Sequence, residues 1–506
     1  MFVLLSAVWA VANPIAAAPD EPSHIVKAAG IVRGQTLGEL VDGNRLLELP
    51  RIYGYTHQLY GCHAFRPEIS AACSPVDFAD AATPTPTYTS AANYNPLYYA
   101  VVGLPTVLPP SLNVLYLMRL ASAVLCGGLL ALGIRSVAET APRRWTVAGT
   151  AVALVPMVFF MNSTVNPNAM EAAAGVGLWL TLLVALRRPD PGLLARRWWR
   201  AGVLVVALAN GKALAPVLLA MLVLTVVGLV GWAPVREVLR DRRAWPGLAL
   251  GTVGTAVAGI WSLTQEPVSG LDEVAYPQLE NRWTAAEYVL RSWTQYYEQT
   301  VANFGWHDSQ PPHWVYAWVS VALGLLLLLA LVAGRRRERV VLVVACAAVV
   351  LAPLAFQLPF APQVGLPWQG RYLAAFALGV PIMAGVVLDG AAGRTDLAAL
   401  GRPLTRLVVV MMAVVQVVSF GANLRRYVAG AKAPWFEPVA TAWHPPLPVW
   451  MLLAGAAVAV ALVAGQLAWL LRERQPDAGA GRDVEGVAAV SPSVSGTSAW
   501  RRTGAR

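Results

Sequence analysis

Apolar runs of bilayer length recur along almost the whole of this 506-residue chain, and that recurrence limits its fold more than any motif does. An α-helix rises ~1.5 Å per residue, so about 20 consecutive apolar residues carry it across the hydrocarbon core of a membrane. Residues 1–17, 113–134, 145–161, 169–186, 245–263, 313–332, 340–357, 371–388, 407–423 and 448–471 are runs of this kind. Charged residues make up roughly 25% of a soluble domain; here they make up 13%, against 57% apolar. The pattern predicts one all-α, polytopic membrane bundle over residues 1–474 instead of a string of soluble domains. Membrane lipid is its first partner. The formal charge of +10 does not point to nucleic acid, because no basic stripe is interleaved with aromatics. Arginines on such a chain report orientation and anionic headgroups.

Two segments leave their path open. Residues 96–110 are short and proline-interrupted, and residues 199–232 are too long for one helix and short for two, with Asn210-Gly211-Lys212 breaking them midway. Orientation resolves both. Loop arginines gather on the cytoplasmic side, and the densest clusters lie at 143–144, 187–200, 236–243, 335–339 and 394–406. These share one side only if 199–232 crosses twice, with Lys212 at the outer turn, while 96–110 dips in without crossing. The expectation is then about 12 transmembrane helices in the plasma membrane, with both termini cytoplasmic. The large outer loops are 18–112 and 265–312. Arg425, Arg426 and Lys432 fall on the outer side, as exceptions that long outer loops tolerate. Residues 475–506, rich in Gly, Ala, Ser and Val without a helical period, read as a disordered cytoplasmic tail. The first run reads as an uncleaved helix despite small residues at Ala16-Ala17-Ala18, since no basic residue precedes it, and a short basic leader is expected upstream of Met1.

Cys126 and Cys346 fall inside helical runs, where a thiol is a small apolar filler. Cys62 and Cys73 share the first outer loop, where an oxidising compartment permits a disulfide. The alternative is a metal pair with His57 and His63, a spacing that matches no standard zinc pattern.

Pro19-Asp20-Glu21-Pro22-Ser23-His24 places two carboxylates and a histidine at the membrane surface directly after the first run. Charge so close to hydrocarbon is costly unless it is used. Ile25, Val26, Ala29 and Val32 suit an amphipathic helix lying on the membrane, so the two acids either favour that helix's first turn or serve a reaction. The same side offers Lys27, Lys212 and Arg371 near helix ends, as phosphate ligands or as headgroup anchors. Arg119, inside a run, requires a buried partner. The aromatics between Trp283 and Trp314, with His307 and Asp308, exceed what an interfacial belt needs and read as an outer segment roofing a pocket.

Four motifs carry a resemblance: Pro19-Asp20-Glu21 with His24, Asn95-Pro96-Leu97-Tyr98-Tyr99, Val165-Asn166-Pro167-Asn168, and Gln369-Gly370-Arg371-Tyr372. In this order, over roughly residues 3–471, the chain resembles a bacterial, mostly actinobacterial, membrane family defined as a domain of unknown function of the 2142 type. Through it the chain looks like the GT-C superfamily of integral-membrane glycosyltransferases, in which the first outer loop holds the catalytic carboxylate and the donor is a polyprenyl-phosphate sugar. That resemblance implies a GT-C-like bundle with Asp20 as general base and Glu21 supporting it. It implies a donor and acceptor site drawing on His24, Lys27, Tyr98, Tyr99, Asn166, Asn168, Lys212, Arg371 and Tyr372. Related sequences often carry Asp where Asn168 stands and a second Pro where Asn95 stands, and Asn168 can still bond a sugar hydroxyl.

The partners so implied are the polyprenyl-phosphate sugar and a cell-envelope glycan or lipid acceptor. No cofactor is required by the residues, although an acidic pair is compatible with a divalent metal. The rival functions are a transporter or flippase of lipid-linked glycans, suggested by the break at Asn210 and by Arg119, and a non-catalytic envelope scaffold. A transporter predicts internal repeats of the span pattern, and none is apparent.

Overall fold

The computed structural model describes residues 1–41, 44–74, 78, 80–141, 143–265, 274–392, 397–434 and 442–472, the side chains of 397–400 excepted. The expected tail lies outside these residues.

At the centre stands the helix Pro167–Arg187, buried at every residue but the last. Its sequence is apolar on nearly every face, as a helix surrounded by other helices requires. Small residues set how closely its neighbours approach: a Cβ added at Gly133 of the helix Leu112–Ala138 would lie 2.4 Å from the Gly177 Cα. The helices Leu194–Ala209 and Gly379–Ala391 pack on its other sides. Van der Waals contact between such small residues is the main source of helix association where lipid tails remove the hydrophobic drive.

Among the described residues eight helices are long and apolar enough to cross a bilayer, or ten if two bent pairs each count as one span. The count of twelve is not reached on length, and the two shortfalls have local causes. The first helix, Phe2–Ala12, has 11 residues, because Pro14 cannot continue it. Leu194–Ala209 has 16 residues and ends at the Asn210-Gly211 break. The expected straight span 145–161 is instead the helix Arg144–Ala153 followed by Pro156–Asn162, bent by 58°. Pro156 starts the second piece, a position where its missing N–H costs nothing.

Residues from the loops expected on one side do meet at one end of the bundle. Arg371 reaches Asp20, Trp306 donates to the Ala16 carbonyl, and Asn95 donates to Asn210. The arginine clusters meet at the other end: Arg187 pairs with Glu338, Arg188 donates to the Ala141 carbonyl, and Arg197 and Arg200 share Glu139. Arg426, the expected exception to the charge bias, is a buried staple, donating to the carbonyls of His63 at 2.7 Å and Ile69 at 2.9 Å and pairing with Asp308 at 2.6 Å.

The long segment after the first helix carries a small antiparallel sheet that the apolar pattern did not announce, in the order β1 (Glu39–Val41), β2 (Asn44–Pro50) and β3 (Pro84–Tyr88). β3 holds two prolines and lies at the sheet edge, where a missing donor is tolerated. Cys62 and Cys73 are bonded to each other, with Cα atoms 6.0 Å apart, while the His57 ring contacts the Tyr88 carbonyl and His63 packs on Tyr427, so the four do not form a metal site. Closing an 11-residue separation removes about 3 kcal/mol of chain entropy from the opened state. Cys73→Ala is therefore expected to raise hydrogen exchange in 62–73 by about two orders of magnitude, and unchanged exchange there would show that the bridge carries no such load.

Candidate functional site

The helix Glu21–Val32 organises the site, and it does not lie on the membrane surface. Every residue from Glu21 to Gly30 is buried, because its polar side chains at positions 21, 24 and 27 each meet a partner from a distant element. Asp20, which precedes the helix, adopts φ 65°, and its side chain makes no capping hydrogen bond. Asp tolerates this left-handed backbone better than most residues, and the turn leaves its carboxylate 43% exposed while its neighbours are covered.

Arg371 meets that carboxylate, Nη2 to Oδ2 at 2.6 Å, from a position 351 residues away in sequence. It sits in the short 3₁₀ turn Gly370–Leu373 and is itself only 7% exposed. Gly370 explains the placement. A Cβ there would lie 2.0 Å from the Tyr296 carbonyl oxygen, so only glycine lets this turn dock on the helix Trp293–Val301, where the Gly370 N–H donates to Gln299 at 2.8 Å. The Arg371 Nε is buried with no hydrogen-bond partner among the described residues.

A second cation stands beside this pair. The Lys212 ammonium lies between the rings of Tyr94 and Tyr372, 5.2 and 5.3 Å from their centroids, and pairs with no carboxylate among the described residues. Its backbone N–H donates to Glu171 at 2.6 Å. Burial and the Arg371 charge push the Lys212 pKa down, against the pull of Asp20 and Glu171. His24 stacks between Tyr94 and Tyr99, shares a 2.8 Å hydrogen bond with the Tyr99 hydroxyl and leaves Nε2 buried without a partner among the described residues. Burial, then the charges of Lys212 and Arg371, hold it neutral, with its pKa well below the usual imidazole range. His307 is lowered to about 4 by burial and by Arg371.

Asn166 caps the central helix by accepting the Asn168 N–H at 3.1 Å, and its amide donates to the Pro19 carbonyl. Both polar atoms of the Asn168 side chain are buried without a partner among the described residues. Asn168 and Glu171 lie three residues apart on one helical face, so two polar groups project together from the start of the central helix.

The structure therefore gathers Asp20, Arg371, Lys212, His24, Tyr99, Tyr372 and Asn166 of the expected residues. Three others are engaged elsewhere. Glu21 is fully buried and bidentate with Arg119 at 2.7 and 2.6 Å, and it also accepts the Val165 N–H, so it has no oxygen to offer a substrate. Lys27 donates to the carbonyls of Thr36 and Ala92, which removes it from the phosphate ligands. Tyr98 is buried against Ser122 and the Asn166 N–H and acts as a packing and bonding post. Glu171 was missed, although a lone carboxylate in a 21-residue apolar helix is a functional signal in its own right.

The donor set does not fit a divalent cation. Glu21 is taken by Arg119 and Asp20 faces Arg371, and no group of three or more His, Cys, Asp or Glu gathers among the described residues. Behind Gly370 lies an apolar cavity of about 230 Å³, lined by Tyr296, Val319, Leu323, Val349 and Trp368 among others. Through Gly370 this hollow borders the turn that carries Arg371.

A family model described as "Predicted membrane protein (DUF2142)" matches residues 2–380. Among solved structures, ArnT from Cupriavidus metallidurans bound to undecaprenyl phosphate aligns with a TM-score of 0.39 at 14% identity, over 93% of this chain and 76% of that one. The apo form of the same protein aligns with a TM-score of 0.39 at 14% identity, over 92% and 74%. No curated protein matches the sequence. Alignments of this quality supply no chemistry, which has to come from the side chains.

Proposed function

This chain belongs to the DUF2142 family of predicted membrane proteins, and within that family we propose that it is an integral-membrane glycosyltransferase, moving a sugar from a polyprenyl-phosphate donor to a cell-envelope acceptor at the outer leaflet. The observation that carries the reading is the meeting of Asp20 and Arg371 at 2.6 Å, beside the Lys212 ammonium, which pairs with no carboxylate among the described residues, and next to an apolar cavity. An acid, two cations and an apolar hollow match the three parts of the reaction: an acceptor hydroxyl, a phosphate and a lipid tail. By the bias of loop arginines, this end faces outward and the arginine-rich end faces the cytoplasm of a plasma-membrane protein.

Asp20 and Arg371 neutralise each other as an ion pair. A donor phosphate takes Arg371 and Lys212 as its partners, as charge-assisted bonding favours, and frees Asp20 to orient the acceptor hydroxyl. As the acceptor oxygen bonds to the anomeric carbon, its proton passes to the Asp20 carboxylate and the anomeric C–O bond to phosphate breaks. The polyprenyl phosphate leaves with one additional negative charge, which the two cations stabilise in a site shielded from bulk water. A single displacement of this kind inverts the anomeric centre. Asn168, whose side-chain amide atoms are buried without a partner among the described residues, is the group this reading assigns to sugar hydroxyls.

The test is turnover by purified protein in liposomes, with a panel of labelled polyprenyl-phosphate sugars and a cell-envelope extract as acceptor. Transfer of label from at least one donor is expected. Absence of transfer from every donor, with donor lipid still bound or moved across the bilayer, would replace the reading with a flippase or a scaffold.

Lys212 adds a pH signature. Only its charged form attracts phosphate, and its pKa is lowered, so donor affinity should fall as pH rises through mildly alkaline values where an ordinary lysine stays charged. Lys212→Arg keeps its charge and can stack between the same two tyrosines. It should flatten the alkaline rise in donor KM, and a rise equally steep in both proteins would dismiss Lys212 as a phosphate ligand.

A further inference from the structure

At the end of the bundle opposite Asp20, a cavity of about 410 Å³ is walled by Arg187, Arg188, Arg335, Arg337, Glu338 and Asp389, together with apolar side chains. The central helix links the two places. From Asn168 to Arg187 it runs about 28 Å at ~1.5 Å per residue, so the cavity is separate from the site above.

Four arginines against two carboxylates leave the lining two charges positive, and both carboxylates are already engaged. Asp389 accepts from the N–H groups of Trp145 and Thr146 at 3.0 and 2.9 Å and from the Thr146 hydroxyl at 2.7 Å. Glu338 pairs with Arg187 and accepts the Arg335 N–H at 2.8 Å. The arginines retain donors. Arg188 gives one N–H to the Ala141 carbonyl, and Arg337 gives two to the carbonyls of Gly228 and Val227. A guanidinium carries five N–H groups. The Arg335 guanidinium is exposed at the rim and donates to no other described residue. The 22-residue helix Arg336–Gln357 begins at the same rim, so its unbonded N–H groups add positive potential there.

We propose that this vestibule is a second binding site, specific for a phosphate group, carried by an anionic phospholipid or by a soluble phosphate ester. Capping of helix ends accounts for the donors that reach carbonyls. It does not account for a hollow of this size whose surplus charge is all of one sign, nor for a rim arginine that lines it with no acceptor among the described residues. Basic pockets between helices on the arginine-rich side of a membrane protein have the chemistry of lipid headgroup recognition.

The experiment is native mass spectrometry of the full chain in neutral detergent with short-chain phosphatidylglycerol, with phosphatidylcholine, and with inorganic pyrophosphate, comparing wild type and Arg335→Glu. Arg335 gives up no side-chain bond to another described residue, so the variant should keep the wild-type melting temperature. If the source is lipid, phosphatidylglycerol is retained over phosphatidylcholine and its affinity falls about tenfold or more in the variant. If the source is soluble, pyrophosphate binds and displays the same loss. Absence of binding by both anionic probes, or binding equal in the two proteins, overturns the proposal. Neither result depends on sugar transfer, so this site and the one at Asp20 stand or fall separately.

Discussion

Asp20→Asn should lower sugar transfer by about 10²–10⁴-fold, the range that a general base contributes, while the protein folds and inserts as before. The substitution keeps the shape and removes only the capacity to accept a proton. Structural damage should be slight because the Asp20 side chain is 43% exposed and caps no helix. Asn also removes the acid that faces Arg371, so that guanidinium becomes freer for phosphate, and donor affinity should hold or improve. The expected signature is a fall in kcat with donor KM unchanged or lower, as for an interaction made only in the transition state. Equal product from wild type and variant would remove Asp20 from the chemistry, and a rise in KM alone would make it a binding residue.

The adjacent acid should behave in the opposite way. Glu21 and Arg119 are both fully buried and bidentate, and Arg119 also donates to the carbonyls of Ala10, Asn13 and Pro14. Removing one member of such a pair leaves a buried charge without a partner, at a cost of about 3–5 kcal/mol. That is a large part of the roughly 5–15 kcal/mol that keeps a typical domain folded. Glu21→Ala should therefore give low yield and a markedly lower melting temperature in detergent. The double change Glu21→Leu with Arg119→Met should recover much of that loss, since it buries no unpaired charge. A single variant that melts with wild type would mean the pair is dispensable, and a double variant worse than either single would assign the stability to the carbonyl contacts of Arg119.

The membrane spans were legible because their signal is local: twenty apolar residues describe themselves. So was the break at Asn210 to Lys212, since Gly and a charge inside an apolar run leave few alternatives. The fate of the helix Glu21–Val32 was not legible. Its apolar and polar residues alternate as they would on a membrane surface, and nothing near Glu21 in sequence tells of Arg119, 98 residues away. The same holds for Lys27, whose acceptors are backbone carbonyls, which carry no side-chain signature at all. Arg426 looked like an exception to the charge bias only because its burial is a tertiary fact. Asp20 and Arg371 could be named as partners because both were polar groups set against an apolar background on the same side. The sheet escaped notice because its strands are short and β3 is proline-rich, features that argue against a strand in any single window.

The two neighbouring acids in this chain thus carry separate expected losses, one of turnover and one of stability. A relative that had drifted at the first while keeping the second would still reach the bilayer intact, and by every measure of expression and folding it would pass for a working copy. Silent members of such a lineage would be told apart by one position, and a survey of sequences that scored the pair as a unit would not separate them.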